Sequence, residues 1–204
     1  MDFLIFGFIT GLSLILAIGA QNIFVIEQGL KKQYVFIVCL ICSISDLLLI
    51  FLGIFLFEYF SFFFNDTVEL IFNILLFVFL IYFIINKLRA KYDNLNLSLE
   101  NDKNSLINII LKTLGFTYLN PHVYSDTVFF LGNFSKSFLI IDKYYFGIGA
   151  SIASFLFFFS LGYLSKILSK YLVEKKIWKI INFFIISFMG LISAYVLNDI
   201  IKSI

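Results

Sequence analysis

Charge, proline, cysteine and histidine are all scarce in this chain. Only 14% of its 204 residues are charged, against about 25% in a soluble domain. Hydrophobic residues make up 61% and mean hydropathy is +1.01. So little polar surface cannot coat a water-soluble globule, so the bilayer is the solvent for most of the chain. Two cysteines, Cys39 and Cys42, cannot build a disulfide framework. Cys39-Leu40-Ile41-Cys42 stands without a second pair and without a nearby histidine, and reads as small buried thiols rather than a metal site. No Gly-x-x-x-x-Gly-Lys-Ser/Thr loop exists, so active transport would draw on an ion gradient or a separate subunit. No loop holds a nucleophile–base pair, which argues against an enzyme, and no cofactor is expected. A net charge of +2 gives no electrostatic reason for a nucleic-acid partner. The 29 phenylalanines and the fourteen lysines set against one arginine read as compositional bias, so a Phe-rich stretch is taken as lipid-facing packing.

What is present is a series of long apolar runs. Six are long enough to cross a bilayer: 3–26, 34–59, 68–86, 106–134, 145–167 and 177–200. The first has no basic n-region and exceeds signal-peptide length, so it is expected to be a retained span. Twelve of the fifteen basic residues fall in or beside loops one, three and five, among them Lys31, Lys32, Lys87, Arg89 and Lys166. By the positive-inside rule those loops are cytoplasmic and both termini lie outside, with the chain in a bacterial cytoplasmic membrane. The polar stretch 87–105 is the one linker-like segment. It divides a single transporter domain, 1–204, into repeat one (1–86) and repeat two (106–204). Three spans per half give opposite orientations, an inverted repeat. The fold expected is therefore an all-α membrane protein of six transmembrane helices in two inverted three-helix repeats.

Two polar runs interrupt the apolar segments: Ile18-Gly19-Ala20-Gln21-Asn22 and Leu119-Asn120-Pro121-His122. Polar groups and helix breakers at membrane depth usually line a pathway or a binding site, and two of them, one opening each half, point toward a transporter. Pro121 removes an amide donor, and Gly19 permits similar unwinding; a simple kink is the competing reading of Pro121. Asp46 lies well inside the second span and Asp126 five residues beyond Pro121. An intramembrane carboxylate costs roughly 2.5–3.5 kcal/mol to insert, so both should face protein or water. His122 and Asp126 are four apart and share a face if a helix resumes after Pro121. His122 can carry a proton near neutral pH or act as a neutral hydrogen-bonding group. At 100° per residue, Thr10, Ser13, Ala17 and Gln21 align on the first helix. Cys39, Cys42, Asp46 and Gly53 align on the second, and Gly147, Ser151, Ser154, Gly162 and Ser165 on the fifth. Gly7 and Gly11 form a GxxxG, a signal for close helix packing.

The runs Gly11-Leu12-Ser13-Leu14, Ala17 to Asn22, Val25 to Gly29, Leu119 to Val128 with Leu131-Gly132, and Ser45-Asp46 resemble the signatures of the LysE/ArgO lysine/arginine exporter family. Length and span layout agree with that family over essentially the whole chain. The resemblance implies export of basic amino acids, driven by the membrane potential or proton gradient. Gly19-Ala20-Gln21 stands where exporters of neutral amino acids carry Pro-Gly-Pro, which favours the basic branch. The chain departs from the family at Asn73 to Phe77, which lack small residues, and at Phe157-Phe158, where an aromatic pair with Trp is common. On this reading Asp46 and Asp126 counter the cationic side chain or exchange protons. Gln21, Asn22, Asn120 and His122 bind the amino-acid backbone groups, and Gly19 and Pro121 are the helix breaks. The partners expected are an amino-acid substrate, the bilayer and a homodimer mate. Neutral amino acids or divalent metal ions as cargo, or a non-transporting membrane scaffold, are the alternatives.

Overall fold

A computed structural model describes residues 3–16, 19–63, 66–89, 105–169 and 175–203, and these are helical apart from short turns. The helices are α1 (Phe3–Ile15), α2 (Ala20–Lys31), α3 (Val35–Phe63), α4 (Asp66–Arg89), α5 (Leu106–Tyr118) and α6 (Pro121–Tyr124). A π-helical segment, Ser125–Phe130, then leads into α7 (Leu131–Ser135), followed by α8 (Ile140–Leu168) and α9 (Lys175–Ser203).

Four helices contain stretches long and apolar enough to span a membrane: Val35–Phe57, Asp66–Ile85, Ile140–Leu168 and Phe183–Lys202. The pair α1 and α2, bent by 84° between them, is together long and apolar enough for a fifth if the two count as one broken span. Ile5, Ile9, Leu164 and Phe183 are each more than half exposed on the outer faces of these helices. Apolar surface of that extent requires lipid around it, and the chain is a multi-pass membrane protein. The fourth expected span, 106–134, is not one helix. The 13-residue α5 rises only about 20 Å and stops at Tyr118. Asn120 precedes a new start in which Pro121 is the first helical residue. Proline is tolerated there because the missing N–H would have no intrahelical acceptor. Most of the linker 87–105 lies outside the described residues; at its end, Ser105 caps α5, its hydroxyl accepting the Asn108 N–H at 3.3 Å.

Helix α8 is central, packing on α1, α2 and α3, while α4 and α9 pack on each other. The small residues aligned on α8 and those aligned on α3 are all buried. On α1 the outcome differs. Ser13 is exposed and Thr10 half-buried, and each donates to its own helix, Thr10 to the Phe6 carbonyl at 2.8 Å and Ser13 to that of Thr10 at 2.7 Å. The buried face of α1 is Gly7 and Gly11 instead. A β-carbon on Gly11 would lie 2.8 Å from Cα of Ala150, so the glycines let α1 and α8 approach backbone to backbone. Extending the face to Ala17 and Gln21 fails because the helix ends at Ile15 and Gln21 belongs to α2.

Helix α2 is enclosed on nearly all sides although it is polar: Gln21, Asn22, Glu27 and Gln28 are all buried. Glu27 is paired with Lys31 one turn on, at 2.7 Å. Phe24 fixes α2 laterally, its ring 4.9 Å from Phe116 of α5 and 6.3 Å from Phe83 of α4. These contacts hold the short helix at a fixed position beside the second break.

Candidate binding site at the two helix breaks

The two breaks face each other. A β-carbon on Gly19 would meet one neighbour within 4 Å, the side-chain nitrogen Nδ2 of Asn120 at 3.9 Å. Gly19 itself is extended, at φ −113° and ψ −177°, a conformation open to any residue. The glycine is therefore not required to unwind the chain; its effect is to leave open the space in front of Asn120.

Each break is bridged by a side chain that reaches back across it. Asn22 donates from Nδ2 to the carbonyl of Ile15, the last residue of α1, at 3.2 Å. The hydroxyl of Tyr124 donates to the carbonyl of Tyr118, the last residue of α5, at 2.9 Å. A helix ending in the membrane has terminal carbonyls without intrahelical donors, which neither lipid nor apolar side chains can satisfy. In both halves the following helix supplies the donor. Part of the hydrogen-bonding capacity of Asn22, which the sequence assigns to substrate, is thus committed to the backbone.

Gly19, Gln21, Asn22, Asp46, Asn120 and Asp126 all line one cavity of about 560 Å³. Asp46 comes from α3, is 3% exposed, and accepts a hydrogen bond from the Ser154 hydroxyl of α8 at 2.8 Å. Asp126 is half-buried in the π-helical segment and lines the same cavity. The wider π turn is a feature often met at functional sites. Within it Thr127 donates to the Val123 carbonyl at 2.5 Å. The helix resumes at Pro121, as the His122–Asp126 pairing requires, and becomes π-helical from Ser125. Close approach of the α3 backbone fixes this segment: a β-carbon on Gly53 would lie 2.6 Å from Cα of Val128, and one on Gly132 2.5 Å from the Gly53 carbonyl oxygen. The side chains of Pro121 and His122, and all of Ala17 and Ile18, lie outside the described residues.

Gln21 is 7% exposed. Its side chain is within hydrogen-bonding reach of the Cys42 thiol, and its Nε2 is fully buried. Cys39 and Cys42 are free thiols, both buried; the Cys39 thiol donates to the Phe158 carbonyl at 3.2 Å. Among the described residues no three His, Cys, Asp or Glu side chains gather as a metal site would need.

Sequence reasoning missed the partner of Asp46 and two residues of the cavity wall. Ser154 was visible only as one of several small residues on α8, with nothing to say that it meets Asp46. Phe158 and Tyr195 line the wall; Phe158 marks the family departure noted above, and no motif singles out Tyr195. Asn73, the other departure, is buried in α4 at 4% exposure and does not line the cavity.

Known proteins match this chain over most of its length. The sequence profile described as LysE type translocator matches residues 12–199. The arginine exporter protein ArgO of Pectobacterium atrosepticum is 34% identical over 184 residues, 88% of each chain. Its namesake in Pectobacterium carotovorum is 35% identical over 189 residues, again 88% of each. That of Salmonella typhimurium is 37% identical over 197 residues, 92% of this chain and 89% of the relative. No solved structure gives a significant match to the chain. With two broken helices, buried acids and a shared cavity accounting for the motifs, and relatives matched nearly end to end, this chain belongs to the LysE family of translocators.

Proposed function

We propose that this protein is a secondary exporter of basic amino acids, arginine or lysine, in the bacterial cytoplasmic membrane. The observation that carries the reading is the single cavity into which both helix breaks and both intramembrane acids converge. Buried carboxylates beside hydrogen-bonding amides suit a solute that is cationic at one end and polar at the other. The names of the arginine exporters support the same substrate class. Asp46 and Asp126 counter the cationic side chain or exchange protons with it. Gln21, Asn120 and His122 hydrogen-bond the amino-acid backbone groups, and Asn22 adds to this what the break leaves over. Such a protein is a transporter, not an enzyme, and needs no cofactor; it draws on the proton gradient or membrane potential and pairs as a homodimer.

The reading also takes the chain as six spans in two inverted repeats, with both termini outside. In support, the two halves share a device: a broken first span whose last carbonyl is met by a side chain from the next helix. The second-span helices α3 and α8 pack together, and so do the third-span helices α4 and α9, as an axis relating the halves would require. The test is efflux of labelled arginine from cells lacking their own basic amino-acid exporters. Efflux above the vector control is expected; efflux equal to it, with the protein present in the membrane, sinks the proposal.

A further inference from the structure

We infer that the rings of Phe24, Phe79, Phe83 and Phe116 are a gate, shut in this structure, between the cavity and the membrane side that bears the basic loops. Cargo enters past them, along the face of α2 that carries Glu27. This rests on the export reading above and deepens it.

From the breaks, the cavity extends away from the basic loops. Helix α2 gives it Ala20, Gln21 and Asn22 and nothing nearer Lys31, and α5 gives it none of its described residues. The other walls come from parts of helices far from those loops. Asp46 and Ile50 lie well along α3, which starts at Val35 after the first basic loop, and Leu191 and Tyr195 well along α9, which starts at Lys175. Between Asn22 and Lys31 lies roughly 14 Å of helix, and no residue of α2 in that stretch is exposed.

Two kinds of contact close this stretch. Toward α8 the packing is backbone to backbone: a β-carbon on Gly29 would lie 2.5 Å from the Gly162 carbonyl oxygen. Such a contact has no side chain to move aside. Toward α5 and α4 the contact is made by rings. Phe116, fully buried, has its ring centroid 4.9 Å from that of Phe24, 4.8 Å from Phe79 and 5.1 Å from Phe83. Phe24 follows the cavity residue Asn22 by one turn or less, so the rings begin directly beside the cavity. Rings part by side-chain rotation, and an apolar constriction excludes water and ions while shut.

A charge beyond the rings marks the same route. At 100° per residue, Phe24, Glu27 and Lys31 share one face of α2. Glu27 is 3% exposed and paired with Lys31 at 2.7 Å. It stands in the last turns of α2, where the helix dipole opposes an anion. A buried ion pair of this kind adds little stability over an apolar pair. An acid at this place meets a cationic solute before the rings, as Asp46 and Asp126 meet it behind them. Lys31 is partly exposed and yields its place to the solute's cation.

The test is uptake of labelled arginine by inverted membrane vesicles, with the basic loops facing out, from cells lacking their own basic amino-acid exporters. In the double variant Phe24→Cys with Phe116→Cys, joining the two thiols with an oxidant or a short bifunctional thiol crosslinker should stop uptake. Reductant should restore it, and wild type treated alike should be unaffected. Full uptake by crosslinked protein overturns the gate, because rings that serve only as core need not part. Val123→Cys, in the cavity, decides the matter with the rings intact, even where the double variant fails to fold. Without arginine, an impermeant thiol reagent should modify it in intact cells and not in inverted vesicles. Modification from the basic-loop side at an equal or higher rate overturns the shut gate. Glu27→Gln should raise the arginine concentration for half-maximal uptake about tenfold, the scale of one hydrogen bond to a charged group, at unchanged maximal rate. An unchanged half-maximal concentration overturns the route along that face. Absence of uptake in the wild type sinks the export reading itself.

Discussion

The hydroxyl of Ser154 on α8 donates to a carboxylate oxygen of Asp46 on α3 at 2.8 Å, and both residues are buried. The bond joins the two central helices at the cavity wall and fixes where the carboxylate points. A hydrogen bond to a charged group is worth roughly 1.5–3 kcal/mol. Ser154→Ala is expected to reduce arginine efflux about tenfold or more, on that scale, at unchanged membrane abundance. Ser154→Thr retains the hydroxyl and should recover part of the rate. Equal efflux by wild type and Ser154→Ala would remove Ser154 from the site.

Asp46→Asn and Asp126→Asn test the acids directly. Each keeps shape and hydrogen bonding but removes the negative charge. Each single variant is expected to abolish efflux of labelled arginine while immunoblots of the membrane fraction stay at the wild-type level. Full activity in both variants would take the carboxylates out of the mechanism.

Gly19 makes a different demand. Its backbone is extended and a β-carbon meets nothing closer than 3.9 Å. Gly19→Ala should therefore fold normally and transport at a rate within a few-fold of wild type. Gly19→Phe extends into the gap before Asn120 and should block efflux at normal expression. Loss of the folded protein in Gly19→Ala would contradict the open geometry.

The bridges over the breaks predict stability effects. Tyr124→Phe removes the donor that meets the Tyr118 carbonyl, and Asn22→Leu removes the one that meets Ile15. A buried group left unmet costs about 1–3 kcal/mol, so both variants should melt at lower temperature in detergent. Tyr124→Phe is the cleaner test, because Asn22 also lines the cavity. An unchanged melting temperature in Tyr124→Phe would mean that the carbonyl finds another donor.

Close packing of α1 on α8 predicts intolerance of bulk at Gly11. A β-carbon there lies 2.8 Å from Cα of Ala150, and a valine adds two further carbons. Overpacking of this kind costs about 1–3 kcal/mol. Gly11→Val should lower the melting temperature and the yield of monodisperse protein. Melting and yield equal to wild type would show that the helices can separate without penalty.

Helix type and membrane location were legible in the sequence because composition and long apolar runs dictate them locally. The breaks were legible for the same reason: Asn120-Pro121 and Gly19 to Asn22 carry local chemistry that no neighbour can disguise. Asp46 and Asp126 stood out because an acid inside an apolar run needs an explanation wherever the helix sits. The stripe on the first helix misled, since a 100° projection holds only within one continuous helix and α1 ends at Ile15.

Taken alone, then, the sequence determined which residues could not face lipid, because the cost of a polar group in hydrocarbon is a property of that group. Tertiary structure alone decided what they face. Gly19 lies opposite Asn120 across 101 positions of chain, and Asp46 meets Ser154 across 108. Such meetings depend on how helices cross, and crossing is set by side-chain shape and glycine contacts spread over several elements. So too with Asn22: its polarity was plain in the sequence, but its use in meeting the Ile15 carbonyl follows from the 84° bend between α1 and α2.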